Sequence, residues 1–259
     1  MILDDIVARR KEQLARSKAM IPYADMVKLA ENSSHPIRNF KESLLSGNPS
    51  IIAEIKKSSP SKGLICECFN PSEIAEKYQS SGADAISVLT EEFYFGGKNE
   101  YLAAVRNVVS IPILRKDFII DEYQIYEARA IGADAILLIA SLLDYETLIK
   151  FKCISSELGL HVLAEVHDEE DLKKVHDAKF DIVGINNRNL KTFEVNMQVT
   201  ERLIKLIPEG KVVVSESGIK CSEDMNMVKS YGADAVLVGE ALMKSKSVSK
   251  TLNELRGNI

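Results

Sequence analysis

The chain has 259 residues, 46% of them hydrophobic, with 33 basic and 38 acidic side chains well mixed and a formal net charge of −5. That is enough apolar material for one large core or two small ones, without the basic stripe that nucleic-acid binding requires. The opening MILDDIVARRKEQ is charged from its fourth residue, unlike a secretory signal, and the longest apolar run, AILLIASLL, is far shorter than the ~20 residues that span a bilayer. A cytoplasmic protein with no membrane or nucleic-acid partner is therefore expected. The four cysteines are Cys66, Cys68, Cys153 and Cys221. No second Cys or His pair stands at zinc spacing from Cys66-x-Cys68, so reduced thiols and no metal are expected.

In chain order, Leu3, Ile6, Val7 and Leu14 fall on one helical face, and IRNFKESLL reads as a second short helix. Residues 1–48 are taken as an N-terminal helical extension packed on a single domain that fills 49–259, since no Pro/Gly/Ser-rich linker separates them. IIAEI, 51–55, is the first strand. PSEIAEKYQSS follows as a helix, with Pro71 where a first turn tolerates it and Ile74, Ala75 and Tyr78 on one face. Next comes SGADAISVLT from Ser81, which is echoed by IGADAILLIA from Ile131, YGADAVLVGE from Tyr231 and, weakly, AKFDIVGIN from Ala178. Each echo reads as a helix stopped by Gly, a short loop and an apolar strand.

The aspartates of the echoes, Asp84, Asp134, Asp181 and Asp234, are spaced by about fifty residues, too far apart for one strand–helix unit. Each interval holds a further strand: IPILRKD, HVLAEV and KVVVSES. Helices are expected between them, one opening on an Asp144 cap and one over NMQVTERLIKLI. The result is eight strands, at 51–55, 84–89, 112–115, 134–140, 161–165, 181–186, 211–216 and 234–239. Eight units over about 205 residues fit an α/β fold of the (β/α)8 TIM-barrel type. A doubly wound open sheet is the competing arrangement, and the even repeat favours a closed ring.

In such a barrel the active site lies at the C-terminal strand ends. Those ends carry Glu54 and Lys56; Thr90, Glu91 and Glu92; Arg115, Lys116 and Asp117; Ser141; Glu165; Asn186 and Arg188; Glu216 and Ser217; Gly239 and Glu240. Charged residues flank barrel strands routinely, capping a helix or pairing with a neighbour, and Arg115 and Asp117 are read that way; a single Lys at a strand end is more often solvated than catalytic. Two lysines and two glutamates pointing inward by strand parity from the first, third and fifth strands are harder to explain so plainly. Crowded in one mouth they perturb each other's protonation, as acid–base sites require. Glu54, Lys56, Lys116 and Glu165 are therefore candidate catalytic residues. Separately, SESGI and VGEAL put a glycine where each of the last two strands gives way to loop or helix, a backbone suited to phosphate.

The motifs IIAEIKKSSPSKG, LTEEFYFGG, PILRKDFIID, GADAILLIA, LAEVHDEEDL, GINNRNL, SESGI and VGEALM, in order from Ile51 to Met243, resemble the indole-3-glycerol phosphate synthase family. The first and third are highly specific, whereas the glycine elements recur in many phosphate-binding barrels. The resemblance implies a decarboxylating, dehydrating ring closure of 1-(2-carboxyphenylamino)-1-deoxyribulose 5-phosphate, an anthranilate joined to a phosphosugar. It implies Lys116 as proton donor, Glu165 as base, Lys56 as the carboxylate holder and second acid, and Glu54 and Asn186 as orienting groups. Arg188, Ser59, Phe95, Leu137, Glu216 and Ser217 would contact substrate, and Ser217, Gly218, Gly239 and Glu240 would hold phosphate. No cofactor is implied, because the ring-closed intermediate is its own electron sink. The family usually has a charged loop where this chain has CECF, and both its cysteines are read as incidental. A monomer is expected. Two other readings stay open: a Schiff-base aldolase using Lys116, and a phosphosugar-binding barrel without catalysis, which would not need the acid–base set.

Overall fold

The computed structural model describes residues 2–60, 62–190 and 192–257. Eight parallel strands close into a barrel: β1 (Ser50–Ile55), β2 (Ala85–Leu89), β3 (Ile113–Lys116), β4 (Ala135–Ile139), β5 (His161–Val166), β6 (Ile182–Asn186), β7 (Val212–Glu216) and β8 (Ala235–Val238). Each pairs with its neighbours in the chain, and β8 closes on β1 in a register running from Ser50 opposite Ala235 to Ala53 opposite Val238. Every strand end lies within one residue of the sequence expectation, and the closed ring disposes of the open-sheet alternative. Apolar side chains on one parity, Ile52, Ala85, Leu114, Leu137, Leu163, Ile182, Val214 and Leu237 among them, fill the interior, while the other parity packs beneath the helices.

The repeated aspartate stands just before its strand, at the N-terminal end of the barrel, where it clamps the chain. Asp84 accepts the N–H of Ile51 at 2.7 Å, Asp134 that of Ile113 at 2.8 Å and Asp234 that of Val213 at 2.8 Å. A carboxylate thus satisfies an amide at the start of a neighbouring strand, where the ladder offers no partner. The preceding Gly82, Gly132 and Gly232 have φ of +90°, +90° and +102°, the left-handed conformation that ends a helix and that glycine adopts without strain.

Helices cover the barrel. Asn70, Asp144 and Asp168 cap α4 (Pro71–Ser80), α7 (Tyr145–Glu157) and α8 (Glu169–Asp177) through side-chain oxygens. The helix expected over NMQVTERLIKLI is shorter: α9 spans Gln198–Ile204, and Leu206 and Ile207 close into turns ahead of Pro208, which disfavours helix in the residue before it. A hairpin of Ser58–Ser59 with Gly63–Leu64 lies in the loop after β1, unannounced by the sequence reading. The free thiols Cys66 and Cys68 follow it.

The extension begins with α1 (Ile2–Met20). Its inner face buries Ile6 and Leu14, as the spacing predicts, but also Arg10, whose guanidinium donates to Asp117 at 2.5 Å. The second helix, α2 (Tyr23–Glu31), was not anticipated; it lies on α6 (Tyr123–Ala130), with Tyr23 edge-on to Tyr126 and Met26 packed with Tyr123. A short α3 (Phe40–Ser43) inserts Phe40 and Leu44 into the bottom of the barrel interior.

Candidate active site

Side chains alternate along a strand, so inward parity continues past the apolar layers to Glu54 on β1, Lys116 on β3, Glu165 on β5 and Glu216 on β7. In this barrel type, alternate strands supply the four members of an interior layer. The last layer is therefore charged where the layers below it are apolar. Lys116 Nζ donates to Glu165 Oε2 at 2.9 Å and to Glu216 Oε2 at 2.7 Å. Lys56, two residues beyond Glu54 and on its face, donates to Glu54 Oε1 at 2.5 Å.

Two glycines make room for these charges. A β-carbon at Gly184, on β6 between the strands of Glu165 and Glu216, would collide with Glu216 Oε1. At Gly239 it would collide with Glu54 Oε1 and crowd Lys56 Nζ. The second glycine therefore shapes the acid–base pair as well as the turn after β8.

Protonation follows from the crowding. Burial alone would lower the Lys116 pKa, but Glu165, Glu216 and Glu54 overcome it and raise it above the ordinary lysine value. Burial works against Glu165 as an anion, yet Lys116 and then His167 hold it down to about 2. Burial and the neighbouring Glu165 push Glu216 up to about 7, against the pull of Lys116. Two carboxylates on one ammonium are thus driven apart in function, one a standing anion and the other able to hold a proton near neutrality.

Asn186 Oδ1 accepts from Ser217 Oγ and from the Arg188 N–H, both at 3.0 Å, and its amide helps keep Glu165 ionised. Ser217 and Gly218 are both left-handed, with φ of 66° and 101°. For a serine this conformation is costly and persists only when it is held. Asn187 Nδ2 holds it, donating to Ser217 O at 3.0 Å and to Ser215 Oγ at 3.0 Å. Arg188 donates to Phe193 O at 3.0 Å.

The charged layer and the strand-end loops open into one cavity of about 680 Å3, within the range of small-molecule sites. The catalytic candidates Glu54, Lys56, Lys116, Glu165 and Asn186 line it. So do Ser59, Phe95, Leu137, Arg188 and Glu216, and so do Ser217, Gly218, Gly239 and Glu240 at the β7 and β8 ends. One wall is apolar: Phe95 stands 6.0 Å from Phe118 between ring centroids, beside Leu89, Leu137 and Ile139. Leu137 serves core and cavity alike.

Phe95 is placed by Glu91, whose carboxylate accepts the N–H groups of Phe93, Tyr94 and Phe95 at 2.9, 2.8 and 3.0 Å. Burial nevertheless pushes the Glu91 carboxyl up. Arg115 turns outward, fully buried between Glu127 and Asp117. Asp117 reaches the cavity wall, but its carboxylate is occupied by Arg10, Thr90, Arg115 and the N–H of Phe118.

Several lining residues were missed from sequence. Ile2, Leu3 and Ile6 bring the start of α1 over the mouth. Their periodicity announces a buried face but not what it faces. Phe118 lies within the PILRKDFIID motif itself, two residues past Lys116; Gly184, which seats Glu216 without lining the cavity, was signalled by the glycine of GIN.

The chain resembles known proteins along nearly its whole length. A family model described as indole-3-glycerol phosphate synthase matches residues 3–255. The chain is 47% identical to the indole-3-glycerol phosphate synthase of Alkaliphilus metalliredigens, over 100% of this chain and 99% of that protein. To that of Acetivibrio thermocellus it is 49% identical, over 99% of each. Among solved structures, 3-hexulose-6-phosphate synthase from Salmonella typhimurium superposes with a TM-score of 0.65 at 14% identity, covering 80% of this chain and 97% of that one, a likeness of fold alone.

Proposed function

The chain belongs to the indole-3-glycerol phosphate synthase family, and from that premise we propose how its own side chains divide the work. The reaction closes 1-(2-carboxyphenylamino)-1-deoxyribulose 5-phosphate into indole-3-glycerol phosphate, releasing carbon dioxide and water. The ring carbon that bears the carboxylate bonds to the sugar ketone carbon, and the ketone oxygen takes a proton from the Lys116 ammonium. Loss of carbon dioxide returns its electron pair to the ring and restores aromaticity. The new hydroxyl then leaves as water, protonated by Lys56, while Glu165 removes a proton from the adjacent methylene.

The observation that carries this assignment is Lys116 between two carboxylates, 2.9 Å from Glu165 and 2.7 Å from Glu216, at the cavity floor. A raised pKa keeps the amine charged, which suits an acid and opposes the Schiff-base alternative, where a neutral amine must attack. Glu216, able to hold a proton near pH 7, is placed to reprotonate Lys116 after each turnover. Lys56, before it acts as an acid, holds the substrate carboxylate against its Glu54 partner, and Arg188 adds a second positive charge. Asn186 and Ser59 orient the sugar hydroxyls, and Phe95 and Leu137 flank the aromatic ring. The backbone at Ser217, Gly218, Gly239 and Glu240 takes the phosphate. The extension, joined to the barrel through Arg10 and Asp117, works with it as one unit. We also infer a cytoplasmic location, for which the four free cysteines are the support, and a monomer.

Lys116→Ala tests the donor. Its kcat, followed by the appearance of indole fluorescence, falls at least ~100-fold with a modest change in KM. Turnover like that of the wild type, or trapping of substrate on Lys116 by borohydride, overturns the assignment.

A further inference from the structure

β5 ends at Val166, and the next side chain, His167, lies behind the cavity wall beside Glu165. Its Nε2 is 3.3 Å from Glu165 Oε1, the carboxylate oxygen that Lys116 does not use, and its Nδ1 is 3.6 Å from Asp171 Oδ2. Both ring nitrogens are buried, and neither contact has hydrogen-bond geometry. Asp171 is itself fixed in the first turn of α8: its N–H donates to Asp168, and Lys174 Nζ lies 3.2 Å from its other oxygen. The ionisable groups that face the imidazole are thus Glu165 from β5, Asp171 from α8 and, further off, Glu216 from β7.

We propose that His167 is a positioning residue for Glu165, completing an Asp171–His167–Glu165 chain that holds the base from outside the cavity. The need for it follows from the mechanism, on whose assignment of Glu165 as base this inference rests. When Lys116 gives its proton to the ketone oxygen, Glu165 loses the cation on its inner edge, just before it must act as an anion. A cation on the outer edge keeps the carboxylate ionised and aimed through that interval. Burial alone would discharge His167, but Asp171 and Glu165 reverse the tendency and raise its pKa above the ordinary imidazole value. A residue that merely supported the start of α8 would need no contact with Glu165.

The linkage is reciprocal, which supplies the test. The protein has four histidines, so each imidazole can be followed by NMR titration in the wild type, in the near-isosteric Glu165→Gln and in Asp171→Asn. The His167 midpoint is expected above 6.5 in the wild type and lower by about half a unit or more in both variants. In His167→Gln, kcat falls about tenfold at nearly constant KM, and the acid limb of its pH profile moves upward as Glu165 becomes easier to protonate. A His167 midpoint unmoved by Glu165→Gln, or a His167→Gln profile that superposes on the wild type, overturns the proposal. If Glu165→Gln retains turnover, the assignment of the base has failed and this inference falls with it. If that variant is inactive while His167 titrates unchanged, only the inference fails.

Discussion

Gly184→Ala adds one methyl group, out of reach of substrate, and is expected to damage catalysis more than folding. The new β-carbon would occupy the position of Glu216 Oε1 and stand 3.2 Å from Leu163 Cδ1. Glu216 Oε1 is the far end of a flexible side chain, so the overlap is relieved by swinging that carboxylate aside rather than by moving the strand. The folding cost then falls at the low end of overpacking penalties, about 1 kcal/mol, or ~2–4 °C in Tm for a chain of this size. Lys116, however, loses the partner it holds at 2.7 Å. A displacement of about 1 Å in a catalytic group costs roughly 100-fold in rate, or about 2.7 kcal/mol of barrier. Stopped-flow measurement of kcat with indole emission as readout, alongside thermal melting, separates the two effects. In a Glu216→Ala background the added methyl has nothing to displace, and the kinetic penalty should largely vanish, a non-additivity that a double-mutant cycle detects. A Gly184→Ala enzyme with wild-type kcat, or an equal loss in both backgrounds, would refute the claim that this glycine exists to seat Glu216.

Asp134→Asn attacks the opposite end. The buried carboxylate receives Arg106 at 2.8 and 2.9 Å and the N–H groups of Arg38 and Ile113 at 2.8 Å, and removing its charge leaves Arg106 uncompensated. A loss of about 3–5 kcal/mol is expected in denaturant titration, with kcat of the folded fraction unchanged. Glu216→Gln tests the raised carboxyl. Its folded pKa of about 7 exceeds the reference 4.5, so the folded protein binds more protons there, and wild-type stability declines as pH rises from about 4.5 to 7. The variant should lack that decline, gaining on the wild type across the window in melts at successive pH values. Glu165, held down to about 2, acts in the reverse sense: its contribution is present above 4.5 and is lost as pH falls toward 2.

What the sequence made legible was whatever has a period. The strands were found because apolar β-branched runs recur between helix stops, and Glu54, Lys56, Lys116 and Glu165 were placed inward by parity alone. Pairing among the inward groups was not legible, because it depends on shear and closure: nothing in the spacing of Lys116 and Glu216 states that they meet at 2.7 Å. The GAD echo was recognised as a helix stop and strand start, but its aspartates were given no work, since the amides they clamp lie 33 and 21 residues earlier. α2 escaped notice because Met26 and Ala30 are its only buried residues, too few to mark a face. Glu91 read as one more strand-end charge. Its three amide partners are formed by the irregular loop it organises, which no periodicity describes.

The two ends of the barrel use the same residue types to opposite purposes, and the difference lies in what each carboxylate finds to bind. At the N-terminal end Asp84, Asp134 and Asp234 meet strand amides, and two of them also meet arginines, Arg256 and Arg106. Donors are plentiful there, so these carboxylates sit in satisfied, fixed contacts. At the C-terminal end Glu54, Glu165 and Glu216 converge with two lysines, and among the described residues the buried Glu216 Oε1 has no hydrogen-bond partner. An unsatisfied buried oxygen costs about 1–3 kcal/mol, and the carboxyl meets part of that cost by holding its proton up to about 7. Incomplete satisfaction is thus what makes the layer chemically responsive. A new donor brought to Oε1 would stabilise the fold while drawing Glu216 back toward an ordinary carboxylate. Under the proposed reprotonation of Lys116 by Glu216, such a gain in stability should come with a loss of turnover.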